Sequence, residues 1–187
     1  IGLSLLSTAP AQGATLQAPQ ARTEQVHTQA TPEKNKAAVS SAVDRLIARN
    51  QDGDKVKLSE FKGQKVIVYF FPAASTPGCT KEACDFNENL NPLKAAGYTV
   101  VGISKDPIKK LKKFHEEQNL NFNLLSDESL DVHKLFGSYG EKMLYGRAYE
   151  GVLRSTFVID EKGKVTLPLY NVKATGHVAM LRKQLGI

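Results

Sequence analysis

A chain of 187 residues with 41% hydrophobic and 24% charged side chains has the size and composition of one folded domain with room for a tail. No stretch reaches the roughly 20 apolar residues of a membrane-spanning helix. The net charge of +6 comes from scattered lysines, without zinc-finger spacing, interleaved aromatics or a basic arm, which argues against nucleic-acid binding. The two cysteines, Cys79 and Cys84, are too few for the disulfide framework of a small secreted domain.

Residues 1–39 are rich in Ala, Gln, Thr and Pro and lack apolar periodicity after Leu6, so they are expected to form a disordered N-terminal extension, with the folded domain spanning 40–187. The start, Ile1 to Leu6 followed by Ala9-Pro10-Ala11, resembles the end of a signal-peptide apolar region with a small-residue cleavage site. That favours an exported or organellar-lumen protein, the alternative being a cytoplasmic one. Asn50 to Asp54 supplies turn residues between two short extended segments, which predicts an N-terminal hairpin.

The run Lys65 to Phe71 is almost continuously β-branched and aromatic, as expected of a central strand buried on both faces. Pro72 to Gly78 reads as a loop. From Cys79 a helical pattern runs through Ala83, Phe86, Leu90 and Leu93 to a stop at Gly97. Then come a buried strand at Thr99 to Ser104, a helix from Pro107 to Gln118 and a short strand at Asn121 to Ser126. The densest basic run, Lys109, Lys110, Lys112 and Lys113, falls on that helix and reads as a solvated face. Asp131 to Phe136 suggests a short helix, Ser155 to Ile159 and Lys164 to Tyr170 a hairpin around Glu161-Lys162-Gly163, and Gly176 to Leu185 a closing helix. The alternation predicts an α/β fold of thioredoxin-like type, a central mixed sheet flanked by helices.

The informative segment is Pro72 to Cys79, which sets a thiol between a buried strand and a helix N-terminus. Free N–H groups and the positive end of the helix dipole favour the thiolate there, and the thiolate is the nucleophilic form. The string TPGCTKEACDF, preceded by YFFP and followed by GVLRSTFVID, resembles the peroxiredoxin family, in its peroxiredoxin Q or bacterioferritin comigratory protein subgroup. The Pro-x-x-x-Thr-x-x-Cys pattern at Pro72, Thr76 and Cys79 is that family's signature, and the similarity runs from about Asp44 to Leu185.

The resemblance implies a thiol peroxidase that reduces hydrogen peroxide and organic hydroperoxides, needs no cofactor or metal, is recycled by thioredoxin or a similar dithiol reductant, and acts as a monomer. It makes Cys79 the peroxidatic cysteine, Thr76 a hydroxyl that bonds thiolate and peroxide, Pro72 a shield, Arg154 the active-site arginine and Cys84 the resolving cysteine. The forked guanidinium of Arg154 suits both thiolate and peroxide. Residues five apart on an ideal helix lie about 7.5 Å apart along the axis and about 140° around it. The Cα atoms are then roughly 8 to 9 Å apart, beyond the 7 Å or so that a disulfide tolerates, so the helix must unwind for Cys84 to condense with a Cys79 sulfenic acid.

The chain departs from the family pattern at Ala73-Ala74-Ser75, where a charged residue is frequent, and at Asn87, where an arginine is common. Both bear on helix stability or reductant docking rather than on the chemistry. His27, His115, His133 and His177 have no metal-ligand spacing. Glu82 and Asp85 read as first-turn residues favoured by the dipole, Glu82 with a further role in ordering the loop. Competing readings are a dithiol carrier, disfavoured because four residues separate the thiols where Cys-x-x-Cys is usual, a structural disulfide, which would disrupt its own helix, and metal binding, which lacks further ligands.

Overall fold

The structure, a computed structural model, describes residues 32–187, with side chains from residue 36 onward. The extension and leader expected at the start of the chain fall largely on residues 1–31, outside that range. Helix α1 (Pro32–Val43) crosses residues 39 and 40, where composition placed the start of the domain. It buries Val39, Ala42 and Val43, three apolar positions at helical spacing set among Ala, Lys and Ser.

The expected N-terminal hairpin follows as β1 (Ile47–Asn50) and β2 (Lys55–Lys57), antiparallel to each other. Strand β3 (Lys65–Phe70) is an interior strand of the main sheet. Period-two alternation sends Val66, Val68 and Phe70 into one core, and Ile67, Tyr69 and the following Phe71 into the other. It pairs in parallel with β4 (Tyr98–Ser104), which pairs in parallel with β5 (Asn123–Ser126). On its other side β8 (Ser155–Ile159) and β9 (Val165–Leu169) run antiparallel. The order is β2-β1-β5-β4-β3-β8-β9, a mixed sheet. Backbone pairing at the β9 edge is supplemented by α1, where Val165 N–H donates to Ser40 Oγ at 2.9 Å.

Helices α2 (Pro77–Glu88), α3 (Leu90–Ala95), α4 (Ile108–Glu117) and α6 (His177–Leu185) cover the face of Tyr69, while α1 and α5 (Asp131–Leu135) cover the other. The single helix expected from Cys79 to Gly97 is two helices. Asn89 breaks it at φ −94°, ψ 6°, its Nδ2 donating to Asp85 O at 2.7 Å. Pro92, which has no N–H to give the preceding turn, then sits in the first turn of α3, where a proline is tolerated.

A second two-stranded sheet, β6 (Tyr139–Leu144) and β7 (Arg147–Val152), is absent from the sequence expectation. Its two-residue turn holds Tyr145 and Gly146 at φ 49° and 75°, and Tyr145 is 97% exposed. The hairpin ends at Val152, and the chain enters β8 through Leu153 and Arg154.

Candidate active site

The loop after β3 is fixed before the thiol is reached. Phe71 N–H extends the pairing by donating to Ile103 O at 3.0 Å, and half-buried Pro72 makes the bend. Ala74 N–H then donates to Asp106 Oδ2 at 2.6 Å, while Ser104 Oγ and Lys110 Nζ donate to the same carboxylate at 2.5 and 2.7 Å. Burial pushes the Asp106 carboxyl up, but these donors outweigh it and hold the group below its ordinary range. Asp106 carries no motif, and sequence reading missed it.

Thr76 caps α2 in extended conformation, and Pro77 occupies the first helical position, for which its fixed φ is suited. The first helical bond runs from Thr80 N–H to Thr76 O at 2.9 Å, leaving the N–H groups of Gly78 and Cys79 ahead of it as the free donors of the helix end. Cys79 therefore lies in the first turn, 2% exposed. The Thr76 hydroxyl, expected to bond the thiolate, instead donates to Ala73 O at 2.8 Å. Its lone pairs stay available to accept from an O–H group.

Arg154 reaches the site from the turn between β7 and β8. Its Nη2 donates to Cys79 Sγ at 3.3 Å and its Nη1 to Glu82 Oε2. Burial alone would pull the guanidinium down, but Glu82 and Cys79 raise it instead, so it stays charged. Glu82, expected as a first-turn residue that also orders the loop, is fully buried. Burial pushes its carboxyl up to about 7 against the lowering effect of Arg154. The signal for this lay in spacing: Cys79, Glu82, Ala83 and Phe86 are buried at intervals of three and four, one face of α2.

Behind that face, Tyr69 stacks on Phe86 with centroids 4.6 Å apart. Gly102, opposite Tyr69 in β4, makes room for the ring, since a Cβ there would lie 2.9 Å from it. His177 Nε2 and Thr156 Oγ1 are 2.8 Å apart, and burial, helped by Arg154, lowers the imidazole to about 4. It is neutral at physiological pH.

Cys84 points elsewhere. Half-buried, it donates to Gln118 Oε1 at 3.5 Å, and both cysteines are free thiols. Burial pushes the Cys84 thiol up, with Glu88 and Asp85 adding to the effect. Of the five site residues expected, Cys79 and Arg154 are in contact, Thr76 and Pro72 flank them in the loop, and Cys84 shares the helix but faces α4. Among the described residues no group of three or more His, Cys, Asp or Glu side chains could hold a metal ion.

A helix-start cysteine held by a buried guanidinium that also binds Glu82 is suited to nucleophilic attack on a polar, cleavable bond, and comparison with known proteins narrows the bond. Residues 36–167 match the model of the AhpC/TSA family. A Mycobacterium tuberculosis protein carrying the peroxiredoxin name is 56% identical over 136 residues, 73% of this chain and 87% of that one. Peroxiredoxin Bcp of Escherichia coli is 47% identical over 128 residues, 68% of this chain and 82% of that one. Among solved structures, the bacterioferritin comigratory protein of Xanthomonas campestris, described for alkyl peroxide reduction, superposes with a TM-score of 0.73 at 32% identity, covering 78% of this chain and 93% of that one. The central mixed sheet with helices on both faces is thus the thioredoxin-like fold of these proteins, and the chain belongs to the AhpC/TSA family as a peroxiredoxin, a thiol-dependent peroxidase.

Proposed function

We propose that Cys79 is the peroxidatic cysteine and Cys84 the resolving one, in a cycle completed within a single chain. The observation that carries this is the contact of Arg154 Nη2 with Cys79 Sγ at 3.3 Å, in the first turn of α2. The Cys79 thiolate attacks one oxygen of the hydroperoxide. The S–O bond forms as the O–O bond breaks, and the departing alkoxide or hydroxide takes up a proton. Arg154 stabilises the charge moving onto the leaving oxygen, and the free N–H groups at the helix start help to hold the peroxide. Thr76 accepts from the peroxide O–H, and Pro72 limits water.

The product is a Cys79 sulfenic acid. Cys84 attacks its sulfur, a disulfide forms and water leaves. A dithiol of thioredoxin type then exchanges with the disulfide and restores both thiols. Hydrogen peroxide and organic hydroperoxides are the proposed substrates. The proposed unit is a monomer. In a coupled assay, NADPH should be consumed only when thioredoxin, its reductase, the protein and a hydroperoxide are all present; no dependence on the protein would sink the reading.

The shared helix adds an expectation about motion. Both thiols lie within Pro77–Glu88 and are out of bonding range in that form. Oxidation should therefore lower far-UV helix signal and raise amide exchange across about residues 80–87. Hydrogen exchange with mass spectrometry on reduced and oxidised protein checks this, and equal protection in both states would remove the unwinding step.

A further inference from the structure

Besides its buried face, α2 is held by polar contacts at each end, and only the N-terminal set touches Cys79. At the N-terminal end Arg154 bonds both Cys79 and Glu82. Oxidation of Cys79 to a sulfenic acid discharges the thiolate that Arg154 holds, so this set loosens as the first step is completed. At the C-terminal end the contacts are indifferent to that chemistry. Asn87 Oδ1 accepts from Asn121 N–H at 2.8 Å and from Asn121 Nδ2 at 3.3 Å, and Asn87 Nδ2 donates to Asn119 O at 3.1 Å. One side-chain amide thus uses both ends to fasten α2 to the turn between α4 and β5.

That turn is a firm anchor. Asn119 holds a left-handed conformation at φ 47°, Leu120 N–H donates to His115 O at 3.0 Å, and Leu120 and Phe122 are buried on either side of Asn121. Cys84 is tied to the same region through Gln118. Its side chain lies about 140° around the helix from that of Cys79 by helical geometry. Bringing it back toward Cys79 opens the helix around the two thiols, and the Asn87 bonds resist any opening that extends into the turn from Cys84 to Glu88. Burial of Phe86 sets a basal cost for that unwinding, and the Asn87 bonds add to it.

We infer that Asn87 is a positioning residue for the resolution step, a latch on the Asn119–Asn121 turn that sets how fast Cys84 reaches the Cys79 sulfenic acid and therefore how readily the enzyme overoxidises. A slow latch lengthens the life of the sulfenic acid, and a second peroxide then competes with Cys84 for the same sulfur. This inference rests on the roles proposed above for Cys79 and Cys84.

The test follows single-turnover kinetics of the full chain after one equivalent of hydrogen peroxide, with the Cys79–Cys84 disulfide assigned by mass spectrometry. In Asn87→Ala, disulfide formation should be about fivefold to tenfold faster, as expected for losing two or three partly exposed hydrogen bonds. The first peroxide step should stay within twofold, and the peroxide concentration giving half overoxidation should rise by the same factor as the disulfide rate. Asn121→Ala, which spares the backbone donor, should give a smaller change in the same direction. Val165→Ala, buried in the opposite core, lowers global stability without touching α2 and should leave the disulfide rate within twofold.

A disulfide rate in Asn87→Ala that is unchanged or slower, or an equal acceleration in Val165→Ala, overturns the latch. Absence of the Cys79–Cys84 disulfide in the wild-type protein overturns the parent assignment instead.

Discussion

Cys79→Ser is expected to abolish peroxide reduction, with a loss on the order of 10⁴-fold or more, as follows from removing the nucleophile of a covalent cycle. A serine hydroxyl does not ionise near neutral pH and cannot hold the oxygen as a sulfenic acid. The fold should survive. The site is 2% exposed, the change in volume is small, and the new hydroxyl lies where Arg154 Nη2 already donates to sulfur at 3.3 Å. Cys84 should not take over, because burial and the nearby Glu88 and Asp85 favour its thiol form and no guanidinium stands beside it. Stopped-flow mixing with hydrogen peroxide, followed by thiol titration, should find Cys84 still reduced. Residual activity within a hundredfold of wild type would shift the nucleophile away from Cys79.

What the sequence revealed follows from where its constraints were local. β3 and β4 were legible because burial on both faces leaves near-continuous runs of Val, Ile, Tyr and Phe, which few other elements produce. Cys79 was legible because the loop that shapes its environment adjoins it in the chain. The β6–β7 hairpin was not, since it lies against no sheet and Met143, Leu144, Tyr145 and Tyr149 are exposed, so no alternation between core and solvent marks it. Its one signal was Tyr145-Gly146 as a two-residue turn. The break at Asn89 was hidden because the apolar spacing from Phe86 to Leu93 continues through it.

The partners of the site were the least legible part. Glu82 meets Arg154 across 72 positions and Ala74 meets Asp106 across 32. Nothing in local periodicity encodes either pairing. Only the topology that sets β8 and β4 on the two sides of β3 brings those residues to one end of the sheet.

That convergence makes Arg154 the second position where a large effect is expected, and its two functions separate. Arg154→Lys and Arg154→Ala should each slow the peroxide step by about 10² to 10³, the scale of losing one aimed donor to developing charge. Lysine keeps the charge but has no planar fork to reach Cys79 and Glu82 together. The stability effect should distinguish the two variants by pH. Glu82 lies at about 7 in the folded protein against an ordinary 4.5 because burial outweighs the help of Arg154. Without that help in Arg154→Ala, the folded carboxyl should titrate higher still.

An acid whose folded value is raised costs stability as pH climbs above its unfolded value, and the cost stops growing once the folded group ionises. Below pH 7 Glu82 is protonated in both folded proteins and separates them little. Above it, wild-type Glu82 ionises onto Arg154 while the variant cannot follow, so the deficit should widen by about 1 kcal/mol from pH 7 to pH 8. For a domain of this size that is about 2 to 4 °C in melting temperature. Arg154→Lys, with a cation still near Glu82, should show less than half of this. Thermal unfolding of the three proteins at pH 6, 7 and 8, alongside the peroxide rate at pH 7, decides the matter. A deficit independent of pH would mean that Glu82 is not the group Arg154 neutralises, and a peroxide rate within twofold of wild type would take Arg154 out of the chemistry.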